Sequence, residues 1–180
     1  MKFDILQEFR PAILFLVKFI VLYLIGNIVY GIYITYFYPY PDPITSLVTE
    51  QSSSILNVLG YNTDTSIQTG KPNVLVSLSG RSVIAVFEGC NGLNVMIIFV
   101  AFILAFGPLT KKILWFLTAG LIVIHIANLF RVIVLFFIAL SNPDYLYFLH
   151  KYFFTAFLYL IVFVFWYFWV SKMQPNKKNS

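Results

Sequence analysis

Three side chains of this sequence could together support a cysteine-based reaction: Cys90, Arg131 and His150. Cys90 is the only cysteine among 180 residues, and it precedes an apolar run that predicts a helix. The positive end of a helix dipole stabilises a thiolate, although a small apolar filler is the alternative for this cysteine taken alone. A histidine can exchange a proton with a thiol, and an arginine can stabilise developing negative charge. The three residue types indicate a nucleophilic cysteine site if the fold brings them together.

The composition shows that the elements positioning these residues belong to a membrane protein. Hydrophobic residues make up 60% of the chain and charged residues 11%, and the apolar residues form runs of about 20, long enough to cross a bilayer. A single cysteine excludes an internal disulfide and a cysteine-based zinc cluster. The Lys and Arg residues behind the net charge of +5 are scattered around apolar runs. We therefore expect the lipid bilayer as a partner, and no nucleic acid, metal or cofactor.

The apolar runs predict an all-α polytopic membrane protein, a single membrane domain over residues 1–180 with about four transmembrane helices. The spans cover approximately residues 12–37, 91–107, 113–138 and 152–170. Pro11 fits the first turn of the first helix. The third run continues to Leu140, which is longer than a ~30 Å hydrocarbon core requires. This run therefore forms one helix that tilts in the bilayer or extends out of it, or it is divided into two shorter helices.

A small extracytoplasmic segment, residues 38–90, separates the first two spans. Apolar residues recur at helical spacing from Ile44 to Leu59 and predict an amphipathic helix. Residues 63–71 have the composition of a loop. Residues 74–78 and 82–87 then predict a β-hairpin whose second strand leads into Cys90. The segment could bind a substrate or an accessory membrane protein.

The distribution of positive charge predicts which side of the membrane each segment faces. Four spans place both termini on one side, and a cytoplasmic N-terminus obeys the positive-inside rule. Seven Lys and Arg residues then lie inside and three outside: Lys2, Arg10, Lys111, Lys112, Lys172, Lys177 and Lys178 against Lys71, Arg81 and Lys151. Arg131 lies about 28 Å along the helix from Lys112. Cys90, Arg131 and His150 therefore meet near the outer face.

His125, Asn128 and Arg131 are spaced three residues apart and form a polar stripe on one helix face. Such a stripe can be a hydrogen-bonded seam between helices, and we favour that interpretation for His125. For Asn128 the choice stays open, since its amide could also orient Arg131. An arginine within an apolar run is costly to bury, which favours a functional role for Arg131.

At these residues the sequence resembles the exosortase/archaeosortase family of membrane-embedded cysteine transpeptidases, and its compact size resembles the short exosortase F type. The resemblance rests on residues 88–92 (Glu-Gly-Cys-Asn-Gly), residues 128–131 (Asn-Leu-Phe-Arg) and His150, and it covers roughly residues 83–170. The family usually has Ser or Ala where this chain has Asn91.

The resemblance implies a cysteine-type peptidase or transpeptidase in the bacterial cytoplasmic (inner) membrane, with its site facing the periplasm. Its partners would be exported proteins that end in a short motif, a transmembrane helix and a basic tail. Cys90 would be the nucleophile, His150 the proton acceptor and Arg131 the stabiliser of the oxyanion.

We expect supporting roles for Glu88, Asn91 and Asn128. A carboxylate two residues from Cys90 would raise the pKa of the thiol unless it points away. Glu88 could instead bind Arg131 or a substrate amide.

Other functions are compatible with the same pattern. A non-enzymatic membrane subunit or assembly factor of an envelope-export system would use the polar stripe only for helix packing. A lipid acyltransferase could also use Cys90 as its nucleophile. A transporter or channel ranks lower, because the polar residues cluster at one face and no internal repeat is visible.

Overall fold

The computed structural model describes residues 2–107 and 110–173. The α-helices in this part of the chain are Lys2–Phe37 (α1), Pro43–Val58 (α2), Leu93–Phe106 (α3), Lys111–Ser141 (α4), Leu146–Phe148 (α5) and Phe154–Phe168 (α6). The β-strands are Thr63–Ile67 (β1), Val74–Leu78 (β2) and Arg81–Val86 (β3). The expected basic tail at Lys177 and Lys178 lies outside the described residues.

Within the described residues, three helical segments are long and apolar enough to cross a membrane. They are Phe9–Phe37, Lys111–Ser141 and Pro143–Ser171, and the shorter apolar helix Leu93–Phe106 accompanies them. The predicted fold class, a mostly helical membrane protein with a small strand region, is confirmed.

α1 and α4 differ in their extents from what the sequence suggested. α1 begins at Lys2, so Pro11 lies inside the helix and not in its first turn. α4 is one uninterrupted helix from Lys111 to Ser141. Thr110 begins it by accepting a hydrogen bond at Oγ1 from the N–H of Ile113 (3.3 Å), and the helix contains no proline that would end it early.

α2 is the predicted amphipathic helix. Asp42 caps its N-terminus and accepts hydrogen bonds at Oδ1 from the N–H groups of Ile44 and Thr45, both at 3.0 Å. Val48 and Leu56 are buried on one face of the helix, where they pack with residues of the sheet and of α4. This packing attaches the segment between the first two apolar helices to the C-terminal half of α4.

The strands form one antiparallel sheet in the order β1-β2-β3. β2 and β3 are the two strands of the predicted hairpin, but β1 occupies residues that the sequence suggested were a loop. The side chain of Asn57 in α2 binds Thr63 of β1, accepting its N–H at 2.7 Å and donating to its carbonyl oxygen at 3.0 Å. β1 is therefore stabilised by contacts with α2 and β2, which its own polar sequence does not reveal.

Two apolar clusters share α4. The first joins α3, α4 and α6 around the buried side chains of Phe99, Ile124 and Leu158. The second joins α2, the sheet and the C-terminal part of α4, and it includes Cys90 and Phe136. Because α4 takes part in both, its middle section lies beside the turn that carries Cys90.

Candidate active site

Cys90 is positioned by a tight turn between β3 and α3. Phe87 continues the extended backbone of β3 (φ −129°, ψ 176°), and a single 3₁₀ turn follows over Glu88–Cys90. The N–H of Cys90 donates to the carbonyl oxygen of Phe87 at 2.7 Å and closes this turn. Gly92 has a positive φ of 81°, a conformation that suits glycine, and α3 begins at the next residue. Strand, turn and helix therefore hold the Cys90 side chain in one buried place.

His150 meets Cys90 from the far end of the chain. Nε2 of His150 lies 3.1 Å from Sγ of Cys90, within hydrogen-bond distance for sulfur. The thiol can donate its proton to this nitrogen when Nδ1 carries the ring proton. His150 is in a π-helical turn, Leu149–Phe153, between α5 and α6. Such turns insert one extra residue per turn and are frequent at functional sites.

Arg131 is a buried cation beside this pair. Arg131 is 5% exposed, and among the residues that the structure describes its buried Nε has no hydrogen-bond partner. No carboxylate of the part of the chain that the structure describes forms a salt bridge with it. Its positive charge instead interacts with Cys90. An unpaired cation at this depth is costly and is expected to serve a negative charge that forms during a reaction.

The surroundings of Cys90 keep its side chain protonated at rest. Burial raises the pKa of the Cys90 thiol, while the positive charge of Arg131 and the backbone hydrogen bond at Phe87 act in the opposite direction. The charge of Glu88 makes the smallest contribution and also raises the pKa. The sequence suggested that the nearby helix would favour the thiolate, whereas burial acts in the opposite direction. His150 is the base within reach of this proton.

Asn128 supports the Cys90 backbone and not Arg131. Its Nδ2 donates to the carbonyl oxygen of Cys90 at 2.8 Å, while its buried Oδ1 has no partner. A Cβ atom at Gly92 would lie 3.1 Å from Cγ of Asn128, so this close approach also favours glycine. The alternative that the sequence left open, in which the amide orients Arg131, has no hydrogen bond to support it.

Asn91 and Glu88 attach the Cys90 turn to the first two helices. Asn91 is fully buried, and its Nδ2 donates to Oγ1 of Thr45 (3.3 Å) and to the hydroxyl of Tyr30 (3.5 Å). The Tyr30 hydroxyl donates to the backbone carbonyl of Glu88 at 2.9 Å. Glu88 thus contributes through its backbone, and among the described residues its carboxylate makes no ion pair with Arg131.

His125 lies outside this cluster. A nitrogen of its ring, Nε2, is 2.8 Å from Oε1 of Gln51 in α2. The contact joins α2 to α4, as expected for the interhelical seam that we favoured for this residue.

A cavity of about 410 Å³ opens beside the Cys90–His150 pair. This volume is within the range of about 300–1,000 Å³ that is typical of ligand pockets. Residues 83–87 form one wall, and Val132 and Leu135 of α4 contribute to the other. Both Cys90 and His150 line this cavity.

The family model of the transmembrane exosortases matches residues 7–173 of this chain. The chain belongs to the transmembrane exosortase family. No curated protein sequence and no solved structure matches it significantly. The match confirms the resemblance drawn from residues 88–92, residues 128–131 and His150, and it covers most of α1 as well. Exosortases are membrane proteins of a generally peptidase-like family.

The structure of this exosortase adds residues that the sequence did not point to. Tyr30 and Thr45 contact the Cys90 turn from α1 and α2, and Asp42 accepts a hydrogen bond from the Thr45 hydroxyl. Tyr30 lies within a long apolar run, where a tyrosine carries no distinctive signal. The adjacent Asp42 and Pro43 form a helix-start signal that indicates α2, but nothing in the sequence connects it to Cys90.

Proposed function

We propose that this exosortase is a membrane-embedded cysteine peptidase or transpeptidase that cleaves the C-terminal sorting signals of exported proteins. The observation that carries the proposal is the 3.1 Å contact between Sγ of Cys90 and Nε2 of His150. A nucleophile within hydrogen-bond distance of a base is the arrangement that covalent catalysis requires. Arg131 adds an unpaired cation beside the sulfur.

The first chemical step transfers one proton and forms one bond. Nε2 of His150 accepts the thiol proton of Cys90, and Sγ attacks the scissile carbonyl carbon of the substrate. The carbonyl oxygen becomes an oxyanion, and the positive charge of Arg131 stabilises it. Because the site is buried, this electrostatic interaction is stronger than it would be in water.

The second step releases the sorting signal. The tetrahedral intermediate collapses, the C–N bond breaks, and His150 returns the proton to the leaving amine. The exported protein remains attached to Cys90 as a thioester. Water completes hydrolysis, whereas an amine or hydroxyl of an acceptor molecule completes transfer. In each case His150 accepts the proton of the attacking group, the C–S bond of the thioester breaks, and His150 returns the proton to the Cys90 thiolate.

The proposed location of the reaction follows from the charge distribution. With both termini in the cytoplasm, the turn that carries Cys90 faces the periplasm at the outer surface of the cytoplasmic membrane. The substrates are then exported proteins that end in a short motif, a transmembrane helix and a basic tail. The substrate helix remains in the bilayer while the peptide before it enters the cavity. An accessory membrane protein could bind the same outer segment.

Processing of a reporter in cells tests the proposal. The reporter is an exported domain fused to the C-terminal tail of a protein of the same cell that ends in an apolar helix and a basic segment. We expect Cys90→Ala to abolish cleavage, and we expect Arg131→Ala and His150→Ala to reduce it by at least about 100-fold.

The matched control replaces the histidine that lies outside the site. His125→Ala should leave cleavage within about twofold of the wild type once membrane levels are compared, because the His125 ring forms its hydrogen bond with Gln51 and not with Cys90 or His150. Cleavage that persists in the Cys90→Ala variant at normal membrane levels would refute the peptidase. It would favour the assembly-factor alternative.

A further inference from the structure

β3 has one unpaired edge. It is the last strand of the sheet and pairs on one side with β2. Along residues 2–107 and 110–173, no hydrogen bond from another element reaches the backbone of residues 81–86 on the other side. An edge of this kind presents free N–H and C=O groups to any extended backbone that approaches it.

The cavity beside Cys90 lies along this unpaired edge. Five consecutive residues, 83–87, line it. Successive side chains of a strand point to opposite faces, so a cavity over one face would be lined by every second residue. The register between β2 and β3 shifts at Val76/Ser77 and leaves Val83 without a direct partner, so regular alternation begins at Ile84. Contact with each of the consecutive residues 84–87 means that the cavity meets the chain along this edge.

The same edge leads to the nucleophile. β3 ends at Val86, and the 3₁₀ turn places Cys90 against the cavity together with His150. An adjoining wall is apolar and includes Val132 and Leu135, which follow Arg131 in α4. Val132 packs with Val76 and Val86, so this wall lies against one face of the sheet. A ligand in the cavity therefore has backbone hydrogen-bonding groups along one edge and apolar side chains against one face.

We propose that the substrate segment preceding the scissile bond binds to the free edge of β3 as a fourth strand of the sheet. This inference rests on the proposed function, because the occupant is the polypeptide that Cys90 attacks. Free backbone groups on an edge strand are the recognised binding partners of an extended peptide. The segment before the bond is favoured because the cavity lies on the outer side of Arg131, while the segment after it enters the bilayer as a helix.

The added strand explains how a cleavage site is presented and how long the recognised segment is. Residues 84–87, beyond the irregularity at Val83, span about 13 Å at roughly 3.3 Å per residue, which accommodates about four substrate residues. Every second substrate side chain faces the apolar wall formed in part by Val132 and Leu135. Small or apolar residues are therefore expected at alternate positions before the scissile bond, and the intervening positions tolerate polar residues.

Disulfide cross-linking in native membranes tests this binding mode without requiring catalysis. The experiment uses full-length Cys90→Ala, which contains no other cysteine, with Ala85→Cys added on the exposed part of β3. The probe is the reporter that the wild-type enzyme cleaves, carrying single cysteines at successive positions before the mapped cleavage site. Directly opposed strand residues have Cα atoms about 4.5–5.5 Å apart, which suits a disulfide.

We expect cross-linking to alternate along the reporter, with every second position at least about fivefold more efficient than its neighbours. Moving the cysteine from Ala85 to Phe87 should move the maximum by two positions, and the direction of the shift distinguishes parallel from antiparallel pairing. Phe87→Cys also serves if Ala85→Cys lowers the membrane level. The matched control is Ser66→Cys on β1, the opposite edge of the same sheet, which should cross-link at background level.

Cleavage by the wild type and by Cys90→Ala is measured in parallel. If cleavage depends on Cys90 but cross-linking is uniform along the reporter, or no stronger than with Ser66→Cys, strand addition is refuted and the peptidase stands. If Cys90→Ala still cleaves the reporter, both the proposed peptidase function and the strand-addition proposal are refuted.

Discussion

Replacing Arg131 with methionine should lower activity by roughly 10²–10³-fold without lowering stability. Arg131 is 5% exposed, its Nε has no partner, and no carboxylate of the described residues pairs with it. Methionine has a similar unbranched chain and needs no solvation. Because removing a buried charge recovers a desolvation cost of several kcal/mol, we expect the free energy of unfolding to stay equal or to rise by about 1 kcal/mol or more.

The expected loss of activity can be estimated in the same way. Removing one group that stabilises an oxyanion costs about 2.7–4 kcal/mol, or roughly 10²–10³-fold in rate. Cleavage of the reporter by Arg131→Met should fall by that factor. The change in stability is measured as the temperature at which the detergent-solubilised protein loses its monodisperse elution peak. For a chain of 180 residues, a gain of 1 kcal/mol corresponds to a rise of about 2–4 °C.

The matched control is Arg10→Met, since Arg10 is exposed near the start of α1. It should change stability by less than about 0.5 kcal/mol and leave cleavage unchanged. The reasoning would be refuted if Arg131→Met lowered the melting temperature by more than a few degrees and retained cleavage. That result would make Arg131 a structural contact between helices and not an electrostatic stabiliser of the reaction.

Three further predictions test the surroundings of Cys90. Since burial raises the pKa of the Cys90 thiol, alkylation by iodoacetamide should be slow at pH 7 and should rise with pH through a midpoint higher than that of an exposed cysteine. Arg131→Met should move the midpoint higher still, because the cation lowers the pKa of the thiol, and an unchanged midpoint would contradict that interaction. Tyr30→Phe removes the donor to the Glu88 carbonyl and should cost about 1 kcal/mol, or roughly fivefold in cleavage rate. Tyr36→Phe, on an exposed tyrosine of the same helix, should have no effect, and equal cleavage rates in the two variants would exclude a positioning role for Tyr30. Gly92→Ala places a Cβ atom on a residue with a positive φ of 81° and brings it close to Asn128. The melting temperature should fall by at least about 2 °C, and an unchanged value would show that the turn can relax.

Local patterns in the sequence predicted most of the secondary structure that carries the site. Apolar runs of sufficient length predicted the helices around residues 12–37, 113–138 and 152–170, because the bilayer sets the length of a span. Helical spacing predicted α2, and two short β-branched segments predicted β2 and β3. β1 could not be predicted, because its polar residues form a strand only when α2 and β2 supply their partners.

The candidate site shows the same division. The residue types of Cys90, Arg131 and His150, and the placement of all three near the outer ends of apolar segments, followed from the sequence and from the family resemblance. The partner of Asn128 did not, since an amide can bind any nearby donor or acceptor. The contact of Tyr30 with the Cys90 turn could not be predicted either, because a tyrosine near the end of an apolar run is ordinary in a membrane helix.

The sequence by itself determined that this chain is a helical membrane protein of the exosortase family, with one cysteine placed just before its second apolar helix. Only the tertiary structure decided that His150, 60 residues away, comes within 3.1 Å of Cys90, and that the free edge of β3 faces the same cavity. Hydrophobic length and periodicity are properties of a segment and can be read from it. The distance between two distant side chains, and the net effect of burial on a thiol, depend on how all the segments pack.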